Sequence, residues 1–504
     1  MTIQGNLESL FLPHELNMGN QAMVEIHHGD DRVRKEDLSS LAENRNPYDE
    51  LPYKSLPIEW TAPERLALAS LLHGGPRAPL DSYRVLELGC ADGANLLPLA
   101  YYRRTATFVG VDSANSQIEI ADSRKAVLRL SNVDFLHADF MTAAQQLSGQ
   151  FDYIIAHGVF SWVPQDVRDA FLELCAQRLR SGGLLYLNYN TNPGWKIRGM
   201  VREFLLAQTA SVAGLKIRGQ LAQEVAAKVV SALTVGEHPY GKLIANEFRF
   251  VCENHVSYVA HEYLAADNHP YWRSEFLALA RRYNLEYVAD ADFNYSSGRI
   301  PEELAPRLEK EQITGRTADD TVDLLCYRQL HSPILTKGSW IRQLPTSEEF
   351  ANLFVASCLT PCASNDSEHQ MFQHPSGYQV EAKDVAIRVA FTKLQPLWPR
   401  GVRVGELFQD VSQVMDDLKL LQRNGLIELR CLEPGDFDVT REALNTLESA
   451  YGGYVTTPYH TREAVPTDFE ANSIDPNAGS CGQQWGGDVN GAMRSTLSFP
   501  IVGN

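Results

Sequence analysis

Between residues 84 and 190, short apolar runs alternate with stretches of helical periodicity. RVLELGCADGAN (84–95) reads as a buried strand running into a glycine-bearing turn. It is followed by the helix LLPLAYYRR, a second strand TFVGVD (107–112), and a helix containing Gln117, Ile118 and Ala121. NVDFLHADF (132–140), FDYIIAHGVF (151–160) and LLYLNYN (184–190) supply three further strands. Segment 164–183 places Val167, Phe171, Leu174 and Cys175 on one helical face, with Gly182 as its stop. Strands joined by helical crossovers lie parallel, and runs this apolar must be covered on both faces. The pattern therefore predicts an α/β, doubly wound parallel sheet over about 46–200.

The rest of the 504-residue chain reads differently. Residues 1–45 are charged and aperiodic, as an N-terminal arm would be. Residues 201–335 are mainly helical, with LEYVADADF as one candidate strand and HSPILTKGSW (331–340) as a linker. From 336 to 455, the order helix, short segment, helix and strand suggests a small winged-helix-like module. Residues 456–504, rich in Gly, Asn, Ser and Pro, read as a tail. VSQVMDDLKLL in the module carries two aspartates and one lysine, which favours protein docking or dimerisation over DNA contact.

Sixty-three acidic residues against 45 basic ones give a net charge of −18, which argues against a nucleic-acid partner and is compatible with lysine-rich ones. The eight cysteines show no framework spacing, and no disulfides are expected. No run approaches the length of a membrane span, and no secretory leader is recognisable at the N-terminus. A cytoplasmic protein without membrane insertion is expected.

The chemistry concentrates at strand ends. The first turn has small residues at alternate positions, Gly89, Ala91 and Gly93, so that backbone can pass close beneath a ligand. A dinucleotide fingerprint would need glycines at 91 and 94, which are alanines. Glu87, two residues before the turn, suits a cationic amino-acid moiety. Asp112 ends the second strand, where a carboxylate accepts ribose hydroxyls. Asp139 and Phe140 follow the third, suited to an adenine amino group and ring face, although Asp139 could equally be a helix cap. Converging at one sheet edge, these ends point to S-adenosyl-L-methionine (SAM).

The sequence resembles class I SAM-dependent methyltransferases, in particular bacterial protein-lysine methyltransferases of the rickettsial type that carry a methyltransferase regulatory domain. NPYDELPYKSLP (46–57), RVLELGCADGAN, FDYIIAHGVFSWVP (151–164) and LYLNYNTNPGW (185–195) carry the likeness. So do 258–293 and 311–330 in the helical region. The resemblance implies a Rossmann-like core, a helical regulatory domain at 201–335, and SAM contacts from Tyr48, Tyr53, Glu87, Gly89, Cys90, Ala91, Gly93, Asn95, Asp112, Ser113, Gln117, Asp139, Phe140 and His157. It also implies a lid formed by Tyr48, Asp49 and Tyr53. The stretches after Trp195 and after residue 456 depart from the family pattern, where acceptor choice could be set.

Methyl transfer is an in-line displacement that needs alignment and an unprotonated acceptor. His157, Phe160 and Trp162 follow the fourth strand, and Asn188 and Tyr189 end the fifth, which makes these five the candidate catalytic residues. His157 could accept a proton or bond the methionine end of the cofactor; Phe160 and Trp162 could hold a lysine stem or be core. His261, Glu262, Asp267, Asn268 and His269 read as surface or interdomain residues, because H-E-x-x-H is absent and no metal site is expected. The expected activity is methyl transfer to lysine ε-amines of a protein acceptor. A small-molecule or peptide methyltransferase and a SAM-binding scaffold without turnover are the alternatives, and a homodimer is compatible with each.

Overall fold

A computed structural model describes residues 46–53, 55–233, 239–291, 304–362, 370–433, 446–447, 454–456 and 462–464. The N-terminal arm and nearly all of the expected tail lie outside the described residues.

The strands expected from the apolar runs are β1 (Arg84–Leu88), β2 (Thr107–Asp112), β3 (Val133–His137), β4 (Phe151–Ala156) and β5 (Leu179–Leu187). They pair in parallel, β1 with β2 and β4, β2 with β3, and β4 with β5. All six residues of β4 are buried, as in a strand covered on both faces. Side chains alternate between two cores. Val85, Tyr153, Ile155, Leu184 and Tyr186 face one. Leu86, Leu88, Ile154, Leu185 and Leu187 face the other, where Phe171, Leu174 and Cys175 pack from the helix Gln165–Arg178.

That helix ends at Arg178, not at Gly182, which lies inside β5. Glycine is needed there because a Cβ on Gly183 would stand 2.8 Å from the Asp152 carbonyl oxygen of the adjoining strand.

The sheet is not complete at residue 200. After the short β6 (Tyr189–Asn190), the chain leaves the sheet. It returns as β7 (Leu285–Asp290) and β9 (Pro333–Lys337), while β8 (Leu330–His331) pairs with β6 in a separate two-stranded sheet. The seven-stranded order is β3-β2-β1-β4-β5-β9-β7, with β9 antiparallel to both neighbours. The segment expected to be a linker is thus an internal strand, and the expectation of an all-parallel sheet holds only for β1–β5. Leu185 pairs with Leu335 and Tyr186 with Ile334.

Between β6 and β7, the helices Gly194–Thr209, Leu215–Ala232, Pro239–Glu253 and Val256–Tyr263 enclose a third core. Val201/Leu205, Ala222/Ala226 and Val259/Tyr263 contribute at i,i+4 spacing. Beyond β9, β10 (Phe354–Ala356) lies between β14 (Val402–Arg403) and β15 (Glu428–Arg430) in an antiparallel sheet. Helices Val385–Leu394 and Met415–Arg423 accompany it, in the anticipated order. A second antiparallel sheet, β11 (Thr360–Cys362), β12 (Gln370–Gln373) and β13 (Gln379–Ala382), was not anticipated. Residues 454–456 and 462–464 form a further strand pair, β16 and β17, at the start of the expected tail. Cys358 is disulfide-bonded, against the expectation that no disulfide forms. Among the described residues, no helix is long and apolar enough to cross a membrane.

Candidate active site

The carboxyl ends of β1, β2 and β4 open onto one cleft. At β1, the turn adopts left-handed backbone at Gly89 (φ 79°), Ala91 (φ 46°) and Gly93 (φ 75°). A Cβ on Gly89 would lie 2.4 Å from Val159 Cγ2, so only glycine fits. Ala91 in this region is strained, a condition that persists where surrounding bonds enforce it. Here the Ala91 amide donates to Asp112 Oδ2 at 2.8 Å. Asp112 Oδ1 accepts from the Ala114 amide at 2.9 Å, so one carboxylate ties the first turn to the second. The Ser113 amide also bonds this carboxylate, and of its about four acceptor positions some capacity remains for a ligand's hydroxyl. Burial raises the Asp112 carboxyl above its usual range.

Glu87 is 3% exposed. Asn95 Nδ2 donates to its Oε1 at 2.8 Å, while its Oε2 is buried with no hydrogen-bond partner. Burial pushes the carboxyl up to about 8, against the Asn95 hydrogen bond, with Asp112 and Asp92 adding to the rise. An orphaned carboxylate oxygen beneath a small-residue turn is the place for a ligand's cationic group, and in this respect the residues fit the SAM expected from the sequence. Cys90 is buried, which raises its thiol. Gln117 is buried on the helix Asn115–Val127. Asp139 is exposed and caps the helix Phe140–Gln146, accepting from the Thr142 amide at 2.7 Å; Phe140 packs edge-on against Phe171. The capping role foreseen for Asp139 is therefore present and leaves Oδ2 available.

A strap made by residues 46–53 and 55–62 crosses this cleft. Asn46 Nδ2 donates to Ser113 Oγ at 3.1 Å, and Asp49 accepts from the Ser116 amide and hydroxyl at 2.9 and 2.6 Å. Ser55 bonds Asp92, and the Ile58 amide donates to Asn95 Oδ1 at 2.8 Å. The ring of Tyr48 stacks on His261 (4.4 Å between centroids, 5° between planes), Tyr53 meets His261 edge-on, and His261 Nε2 lies 2.6 Å from the Leu51 carbonyl oxygen. His261 is therefore buried against the strap, the interdomain rather than the surface half of its expectation. Its neighbour Glu262 is partly exposed in a recess; burial pushes its carboxyl up to about 7 despite Arg198. Glu262 and Asp112 both act on Tyr48, raising its hydroxyl together with burial.

At the end of β4, His157 Nδ1 lies 2.8 Å from Tyr186 Oη, which accepts from Trp60 Nε1 at 3.0 Å. Asn188 Oδ1 accepts from the Gly158 amide at 2.6 Å, which turns its amino group toward the imidazole. Burial lowers His157 to about 4, so it is neutral in ordinary buffers and a poor proton acceptor. Trp162 is partly buried, edge-on to Trp195 at 5.3 Å.

Phe160 and Tyr189 need correction as catalytic candidates. Phe160 is 1% exposed among Phe171, Tyr271 and Phe276, and Tyr189 is stacked on Phe276 at 4.1 Å. Both are core rings that shape the cleft from behind and cannot touch a substrate in this state. Sequence reasoning missed Trp60, Tyr186, and the inward roles of His261 and Glu262.

Among known proteins, a family model described as "Methyltransferase domain" matches residues 86–185, and one described as "Predicted methyltransferase regulatory domain" matches 255–337. An uncharacterised protein of Rickettsia prowazekii (strain Madrid E) is 33% identical over 293 residues, 58% of this chain. The chain spans about half (53%) of that relative's length. A second uncharacterised protein of that organism is 30% identical over 239 residues, covering 47% of this chain and 95% of the relative. In fold, the chain is similar to PKMT2 from Rickettsia typhi, with a TM-score of 0.69 at 21% identity over 82% of this chain and 87% of that one. PKMT2 has also been solved in complex with AdoHcy.

The chain belongs to the class I SAM-dependent methyltransferases that carry a methyltransferase regulatory domain, and its methyl-donor cofactor is SAM. The regulatory-domain match ends on β9, so this region supplies the last two strands of the catalytic sheet as well as helices.

Asp112→Ala is expected to weaken SAM binding by about 1–3 kcal/mol, the cost of unpaired ligand hydroxyls. Calorimetric affinity equal to the parent protein's would remove Asp112 from the binding set.

Proposed function

We propose that this protein transfers the methyl group of SAM to lysine ε-amines of a protein acceptor. The observation that carries the reading is the raised carboxyl of Glu262, near 7, acting on Tyr48 of the strap. Trp162, partly exposed after β4, adds an aromatic face. A carboxylate attracts an ammonium and, with a raised pKa, can take its proton; aromatic rings accommodate an aliphatic stem and the cation that forms. The likeness of HGVFSWVP and NYNTNPGW to protein-lysine methyltransferases, the fold shared with PKMT2 and the net charge of −18 support the same reading. SAM would supply an electrophilic methyl group, held by Glu87, Asp112, Asp139 and the turn 89–93.

Incubation of a lysate and a protein panel with methyl-labelled SAM, followed by peptide mass spectrometry, is expected to find label on lysines. Label in a metabolite extract but not in protein would replace this reading with a small-molecule acceptor. SAM binding without S-adenosylhomocysteine release for any acceptor would replace it with a scaffold.

A further inference from the structure

We propose that Tyr186, backed by Trp60, is a positioning residue that holds His157 as an imidazole protonated on Nε2. His157 then serves methyl transfer as a hydrogen-bond donor and not as the base.

An indole N–H can only donate, so Trp60 Nε1 at 3.0 Å makes the Tyr186 oxygen an acceptor and leaves the hydroxyl proton to point elsewhere. The ring nitrogen 2.8 Å away, His157 Nδ1, lies where that proton can go. The Asn188 side chain stands beside the same ring, close to both nitrogens. Asn188 uses its carbonyl oxygen on the Gly158 amide, so its amino group is what stands 3.2 Å from Nδ1 and 3.4 Å from Nε2. A hydroxyl that donates to Nδ1 requires a lone pair there, and a neutral imidazole with a lone pair on Nδ1 carries its proton on Nε2. The His157 and Tyr186 rings are nearly parallel, 5° apart at 6.0 Å, consistent with an in-plane hydroxyl-to-nitrogen bond.

The arrangement is rigid where it matters. Tyr186 is fully buried near the carboxyl end of β5, paired with Ile334 on β9. Trp60 lies in the helical turn Glu59–Thr61, and the strap before it bonds Asn95 through the Ile58 amide. Tyr186 holds the Nδ1 edge of His157 from β5, while the ring itself is partly exposed just after β4. What the ring has left to offer a ligand is the Nε2–H group, a donor suited to a carbonyl or carboxylate oxygen. A neutral imidazole so held cannot take a proton from an ammonium without giving up its hydrogen bond from Tyr186. The acceptor's proton must therefore leave by another group or by water.

The test is long-range proton–nitrogen NMR on protein labelled with 15N-histidine, with His157 assigned by difference from His157→Asn. The proposal expects an Nε2–H pattern for His157, unchanged across pH 6–8. Tyr186→Phe, which keeps the ring and removes the hydroxyl, should add Nδ1–H tautomer. It should also lower kcat about tenfold, the worth of one buried hydrogen bond, while SAM affinity stays within about twofold. Trp60→Phe should shift the tautomer ratio the same way by less. An Nδ1–H pattern in the parent protein overturns the proposal. So does a tautomer that Tyr186→Phe and Trp60→Phe both leave untouched, or a tautomer change with no change in kcat. The NMR arm needs no acceptor, so it stands even if lysine is not the substrate.

Discussion

Glu87→Gln is expected to abolish a proton release that accompanies SAM binding and to weaken that binding by on the order of 2–3 kcal/mol. Glu87 is buried with Oε2 unpaired, and its carboxyl is pushed up to about 8, so near pH 7 the ligand-free protein carries it protonated. A cationic ligand group placed against it favours the ionised form, and the proton must leave on binding. Calorimetry in two buffers of different ionisation enthalpy reads this as roughly half a proton or more released at pH 7, falling toward zero above pH 9. The same shift has a stability consequence of fixed sign. The folded-state value lies above the ordinary 4.5, so the contribution of Glu87 to stability is fully present below about pH 4.5 and is lost as pH rises through about 8. Without ligand, Glu87→Gln should therefore match the parent at pH 5 and exceed it by about 2 kcal/mol or more at pH 9. A parent protein that binds SAM with no proton release would show that Glu87 does not meet the cation.

The largest loss of stability is expected from Asp323→Ala. Asp323 Oδ1 lies 2.8 Å from Arg328 Nε and Oδ2 lies 2.7 Å from His331 Nε2, and all three side chains are at most 5% exposed. Deleting the carboxylate breaks a buried ion pair and the His331 contact together, a change that costs about 3–5 kcal/mol in comparable settings. The damage lands on a structural joint. The Arg328 carbonyl accepts from Thr191 Oγ1 and the Gly194 amide, and β8 pairs His331 with Tyr189. The turn that Asp323 fixes thus anchors both the exit from β5 and the approach to β9. Thermal unfolding should fall by roughly 5 °C or more, with Asp323→Asn between the two because it keeps two hydrogen-bonding atoms. Equal midpoints for Asp323→Ala and the parent would show that the cluster is not a joint.

The strands β1–β5 were legible because each is an unbroken apolar run, and the strand-end acids were legible because a parallel sheet brings such ends together. β9 was not. Five residues opening with proline and flanked by serine and glycine look like a connection, and only distant partners, β7 and β5, make them a strand. Gly182 looked like a helix stop, but Gly183 beside it is required by a neighbouring backbone. In the site, Glu87 and Asp112 could be read from position alone. Trp60 and Tyr186 could not, since their bond spans 126 residues, and the His261 contact with Leu51 spans 210. Phe160 and Tyr189 misled because an aromatic after a strand can face either the cleft or the core, and sequence does not tell the faces apart.

The return of the chain to the sheet through β9 has a consequence during biosynthesis. When residue 190 leaves the ribosome, the outer edge of β5, with Leu185 and Tyr186, has no partner until Ile334 and Leu335 arrive. At about 5–20 residues per second, that edge is open for roughly 7–30 s, during which it can pair with another nascent chain. Translation stalled anywhere in the helical insertion would release a half-built sheet with an aggregating rim. Codon tempo and chaperone access across residues 191–332 are thus expected to govern yield more strongly than equivalent changes after residue 340.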